Sequence, residues 1–126
     1  HYERAFKANR EYRIASHRLL NAYLEDGLLD KAYTLAQIGI GSLNKTWMDY
    51  FLSGRVSCLR QEWNDAASVF EQALEMVPEN SLTDPLTSDS PVFSILPFWA
   101  KAELELGKRD RAQVLIEQLK SYKQRL

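Results

Sequence analysis

Apolar residues recur along most of the chain at three- and four-residue spacing, which gathers them on one face of a helix. Ala66, Val69, Phe70, Ala73, Leu74 and Val77 form one such stripe, and Ala112, Leu115, Ile116, Leu119 and Tyr122 form another. No segment alternates apolar and polar positions with β-branched enrichment, the pattern of a half-buried strand. The periodicity breaks at Gly27, Pro78 and Gly107, residue types that end helices. The pattern predicts an all-α chain of short helices joined by tight turns.

The stripes also repeat. Ala32 and Ala66 stand 34 residues apart, with Leu20 and Gly54 twelve residues before them. Ala36 and Phe70 follow four residues later, Gly39 and Ala73 seven, and Asn44 and Pro78 twelve. Small residues fall at matching places because neighbouring helices come closest there. A step of 34 residues is that of a two-helix unit, which cannot bury both of its stripes alone and must stack on another.

In the middle unit Tyr50, Gly54, Trp63, Ala66, Phe70, Ala73 and Pro78 follow the order aromatic, Gly, aromatic, Ala, aromatic, Ala, Pro. This unit resembles a tetratricopeptide repeat (TPR). It departs where Ser53 and Ser57 replace a usual Leu and Tyr. The first unit keeps Leu19, Tyr23, Gly27 and Ala32 but has Ala36, Gly39 and Asn44 at the later places. The last keeps Gly107 and Ala112, with Ile116 and Leu119 as apolar substitutes. The resemblance implies a right-handed superhelix of stacked antiparallel helix pairs, about three repeats in one domain over residues 1–126. The expected divisions are a half-repeat (2–11), repeat 1 (13–43), repeat 2 (47–77), an inserted loop (78–91) and repeat 3 (92–124). The half-repeat rests on Tyr2 and Ala5, which fit the second helix of a further unit; with a start at His1 and no Met, the expectation is a piece of a longer chain or a processed product. The insertion follows because Ala112 lies 46 residues after Ala66, about 12 more than the repeat step.

Turn chemistry and bulky side chains refine this picture. Gly27 and Gly107 suit the left-handed turn within a pair, while unit two carries Gln61 and Glu62 there, a turn weaker by about 0.5–1 kcal/mol. The 79–90 segment is polar, acidic and interrupted by Pro85, and reads as a loop. Ser90 and Pro91 resemble an N-cap followed by proline at the first helical position. Pro97 then either kinks the next helix or marks its true start. Of Trp47, Trp63 and Trp99, Trp63 matches a packing position of the family and Trp99 falls in an apolar stripe, so core packing is expected ahead of a ligand cage.

Composition narrows the function classes. The chain has 126 residues, 45% hydrophobic and 26% charged, with a formal net charge of -1. That balance lacks the basic excess of a nucleic-acid binder. No run approaches the length of a membrane span, and no signal-peptide pattern opens the chain. Cys58 is the only cysteine, so it forms no disulfide within the chain and reads as a small core residue. The compartment stays open, with the cytoplasm as the default.

In the family the first helices line a concave surface on which partners lie. Carried over, the resemblance implies inward positions at Ile14, His17, Asn21, Leu24 and Glu25; at Met48, Phe51, Arg55, Cys58 and Leu59; and at Ser94, Pro97, Lys101, Leu104 and Glu105. His17, Asn21, Met48, Phe51, Arg55, Leu59 and Lys101 are the candidate partner-binding residues. Asn21, Arg55 and Lys101 hold the same place in consecutive units and suggest a polar, basic row flanked by Met48, Phe51 and Leu59. Such a surface suits an extended or helical peptide with acidic and apolar side chains. One subclass of the family grips a C-terminal carboxylate with Lys, Asn and Arg. The matching places here hold His17, Asn21, Leu52, Ser94 and Phe98, and with Asn21 alone in agreement that reading is rejected.

Chemistry finds little support. There is no H-E-x-x-H, Gly-rich phosphate loop or G-x-S-x-G motif. His1 and His17 are far apart, and Glu103 and Glu105, two apart on a helix, do not face each other. Asn44, Lys45 and Thr46 match a glycosylation sequon, a weak signal alone. No enzyme activity, cofactor or metal is expected. The expected role is a protein-interaction scaffold that holds a peptide or partner protein. The alternative is an accessory, sensory or oligomerisation domain of a larger regulator or enzyme. Self-association through the open ends of the stack, with Tyr2 and Phe6 or Leu115 and Tyr122 exposed, is a further expectation.

Overall fold

The structure, a computed structural model, describes residues 2–43, 45–77 and 91–124, with side chains from residue 12 onward. It contains six helices: α1 (Tyr2–Glu25), α2 (Leu29–Ile40), α3 (Trp47–Leu59), α4 (Trp63–Glu75), α5 (Pro91–Glu105) and α6 (Arg109–Gln124). No strand occurs among the described residues. The chain is all-α. Asn44 and residues 78–90 of the expected 78–91 loop lie outside the described residues; the last loop position, Pro91, instead begins α5 and is buried, as a proline suits the first turn of a helix.

Three turns join the helices into pairs, and all three close the same way. Leu28 N–H reaches Tyr23 C=O at 2.9 Å, Glu62 N–H reaches Ser57 C=O at 2.8 Å, and Lys108 N–H reaches Glu103 C=O at 2.9 Å. A second bond, from Gly27, Gln61 and Gly107 to Leu24, Cys58 and Leu104, completes a Schellman turn each time. That geometry demands a left-handed residue, and Gly27, Gln61 and Gly107 have φ of 75°, 61° and 79°. Gln61 adopts this backbone although it is not a glycine, so the turn survives the substitution at a cost in strain.

Consecutive helices pack together along the chain, and α3 also touches α1 on one side and α5 on the other. The second helices α2, α4 and α6 make no contact with one another among the described residues. The first helices of the three pairs therefore lie side by side. The fully buried side chains at their centre are Phe70, Leu52, Val56, Val92, Ile95, Leu96 and Leu115. Gly54 sets the closest approach: a Cβ there would stand 2.3 Å from Phe70 Cε1, far inside van der Waals contact. Trp47 and Trp99 are buried and Trp63 packs half-buried against the core, so all three serve packing.

One expectation about the helices changes, and one of two alternatives, that the helix starts near Pro97, falls away. The half-repeat over 2–11 and the first helix of repeat 1 are one continuous helix of 24 residues, about 36 Å long at 1.5 Å per residue. Nothing between Tyr2 and Glu25 is a glycine or proline, so no break arises near residue 12. Pro97 lies inside α5 without ending it, and its exposed ring faces away from the core.

Candidate functional site

The first helices place the row Asn21, Arg55 and Lys101 on neighbouring elements, and the structure links two of them directly. Arg55 Nη1 donates to Asn21 Oδ1 at 2.8 Å, bridging α1 and α3. The same guanidinium carbon lies 5.5 Å from the Phe98 ring centroid, bridging α3 and α5. Both Arg55 and Lys101 act on the Cys58 thiol, pulling its pKa down, while burial dominates and pushes it up to about 11. The thiol is therefore protonated at neutral pH and no nucleophile there. Lys101 is exposed, as are Leu59 at 52% and Leu104 at 51%. Large apolar side chains left in water beside an oriented cation make this face the candidate site.

The remaining expected contact residues divide. Met48 is half-buried and borders the face. Phe51 does not reach it: the ring is 7% exposed, held between Trp47 at 6.0 Å, Phe98 at 5.5 Å and Phe70 at 6.1 Å. Its position at the edge of the α3 stripe matches either placement, and the surrounding aromatic cluster draws it inward. Leu24 is also core rather than surface. Cys58, expected as a core residue, is half-buried at the margin.

His17 belongs to a different constellation, which sequence reasoning missed. Arg13 on α1 donates to Asp49 on α3, and His17 Nε2 lies 2.9 Å from the same Asp49 oxygen. Asp49 Oδ2 accepts the Thr46 backbone N–H at 2.8 Å, and the Thr46 side chain completes a capping box at the start of α3. Gly39 on α2 leaves room for the pair, since a Cβ there would stand 2.8 Å from Asp49 Oδ1. Burial, and then the Arg13 charge, push the His17 imidazole down to about 4. It is neutral at pH 7, so Nε2 carries the proton and donates to the carboxylate. The pairs span 36 and 32 residues. The local signal available was Thr46 followed three residues on by a carboxylate; its partners on α1 had none.

A second buried carboxylate, Glu103, accepts from Trp99 Nε1 at 3.2 Å and has no partner for Oε2 among the described residues. The Arg111 guanidinium lies over the ring of that indole, 5.2 Å from its centroid. An open, mostly apolar depression lies between α1 and α2, lined by Leu19, Tyr23, Leu35 and Ile38 together with the polar Asp30, Lys31 and Thr34. Of the side chains suggested for an open C-terminal end, Leu115 is buried and Tyr122 half-buried. Tyr2 and Phe6 lie outside the described side chains. No described helix is long and apolar enough to cross a membrane. Comparison of the chain with family models, with curated proteins and with solved structures finds no match.

Proposed function

We propose that this chain is a TPR-like interaction domain that holds a peptide or partner protein against the shared face of α1, α3 and α5. The observation that carries the reading is the Arg55 bridge: one half-buried cation joins three first helices, and Leu59 one turn further along α3 and Leu104 on α5 are exposed. Three turns of identical bonding, and the interlock of Gly54 with Phe70, support stacked helix pairs of this kind. In a right-handed stack the same face is the inner, concave one.

Charge reversal tests the reading. The chain and an Arg55→Glu/Lys101→Glu variant of equal helicity are immobilised and offered lysate of the source, beside a control with Glu71→Lys and Glu117→Lys on the second helices. Loss of a captured protein in the first variant and retention in the control support the proposal; the reverse pattern overturns it.

The second reading is an accessory or oligomerisation domain of a larger regulator or enzyme. The uncovered depression at Leu19, Tyr23, Leu35 and Ile38 favours it. Sedimentation at several concentrations checks the oligomerisation part, and a strict monomer removes it.

A further inference from the structure

We infer that Arg55, aimed by Asn21 and Phe98 with Lys101 nearby, recognises a single acidic side chain of an extended peptide that carries an aliphatic side chain two positions away. The inference rests on the peptide-holding reading above and adds what the peptide must look like.

The cation comes first. Arg55 uses one of its five N–H donors on Asn21 Oδ1, a neutral amide oxygen that orients the guanidinium without cancelling its charge. The Phe98 ring steadies it from α5. Among the described residues no carboxylate pairs with Arg55 or Lys101, whereas Arg13 and Arg60 each have one. A half-buried guanidinium already fixed in place loses little freedom on binding, and its fork matches the two oxygens of a carboxylate.

The surroundings then limit the partner. Four residues on from Asn21, Arg55 and Lys101 stand Glu25, Leu59 and Glu105, one helical turn further along each helix. Leu59 is exposed on α3, the helix that touches both α1 and α5, and Leu104 is exposed next to Glu105 in the sequence. A run of acids over this face would meet Glu25 and Glu105 and be repelled; one acid over Arg55 with an apolar side chain over Leu59 meets neither obstacle. One helical turn advances about 5.4 Å. Alternate side chains of an extended chain are about 6.6 Å apart on one face. An acid at one position and a Leu, Ile or Val two positions away, on whichever side the chain direction places it, therefore matches the step from Arg55 to Leu59.

The test uses random 12-residue peptides displayed on phage, selected on the intact chain and re-scored on Arg55→Gln, Lys101→Gln and Leu59→Asp variants of unchanged helicity. The expected result is an acid and an aliphatic residue separated by one position, in a single consistent order, among the enriched peptides. Replacing the acid by its amide should weaken binding at least tenfold. Arg55→Gln should cost the same factor, and the two losses should not multiply when combined. Lys101→Gln, at an exposed position, gives the same readout with a smaller loss should Arg55→Gln alter the fold. Peptides without a shared acid, or bound equally by both Gln variants but lost with Leu59→Asp, overturn the carboxylate inference and leave peptide holding intact. Peptides that bind every variant equally, or no enrichment at all, overturn both.

Discussion

Replacing Gly54 with alanine probes the packing that brings the two helices of the middle pair together. In an exposed helix interior this change stabilises by about 1 kcal/mol, because glycine loses more freedom on folding. Here the added methyl would lie 2.3, 2.6 and 2.7 Å from three atoms of the Phe70 ring. Comfortable carbon contacts are about 3.5–4.0 Å, so the ring must retreat by roughly 1 Å. It has nowhere to go: Phe70 is fully buried, with Phe51 and Phe98 centroids at 6.1 and 6.2 Å. Overpacking of this kind costs about 1–3 kcal/mol, at the upper end for a hemmed-in ring. Subtracting the propensity gain leaves a net loss of about 2 kcal/mol, or on the order of 8 °C in Tm for a domain of this size. Urea denaturation followed by circular dichroism reads it. In a Phe70→Leu background the smaller side chain yields space, and the penalty for Gly54→Ala should shrink by at least about 1 kcal/mol. A neutral or stabilising Gly54→Ala, or equal effects in both backgrounds, would refute the contact.

Other consequences are open to similar measurement. Gln61→Gly relieves a left-handed non-glycine backbone and should raise stability by about 0.5–1 kcal/mol in the same denaturation assay. Asp49→Ala removes the capping box and leaves Arg13 without its acceptor; a loss of about 3 kcal/mol is expected, with α3 losing amide-exchange protection at its first turn. His17 titrates near 4 when folded and near 6.5 when unfolded, so both states are neutral above pH 6.5 and that part of the stability is complete there. As pH falls from 6.5 to 4 the unfolded chain takes up the proton first, and stability should decline by about 1 kcal/mol per pH unit. Denaturation midpoints at pH 7, 6 and 5 should show this slope in the parent and lose it in His17→Gln; an unchanged slope would assign the decline elsewhere.

The parts of the fold legible in the sequence are those with a local or strictly periodic cause. Apolar spacing located the helices, and Gly27 and Gly107 marked left-handed turns because only glycine enters that backbone cheaply. Gln61 was placed at the middle turn by register alone, against its own preference. Gly54 and Phe70 were each visible as repeat positions, but that the ring lies against the glycine is a fact of the packing. Burial at the edge of a stripe was not: Phe51 occupies a position compatible with either face, and only the aromatic neighbours on α4 and α5 decide it. The continuous α1 was obscured because repeat register suggested a boundary near residue 12, where the residues themselves offer no breaker. The Arg13–Asp49–His17 group was hidden for a different reason. Its members are brought together across α1 and α3 by tertiary packing, and no short spacing announces such a meeting.

The claim that partners lie on the α1–α3–α5 face is tested most directly by where a bound partner can be caught. A photo-crosslinking benzoylphenylalanine is placed singly at Leu59 and Leu104 on that face, and at Ile38 and Val114 on the second helices, all exposed positions. The account predicts that the same partner is captured by light from positions 59 and 104 and from neither 38 nor 114. Capture from 38 or 114 with none from 59 and 104 would contradict it.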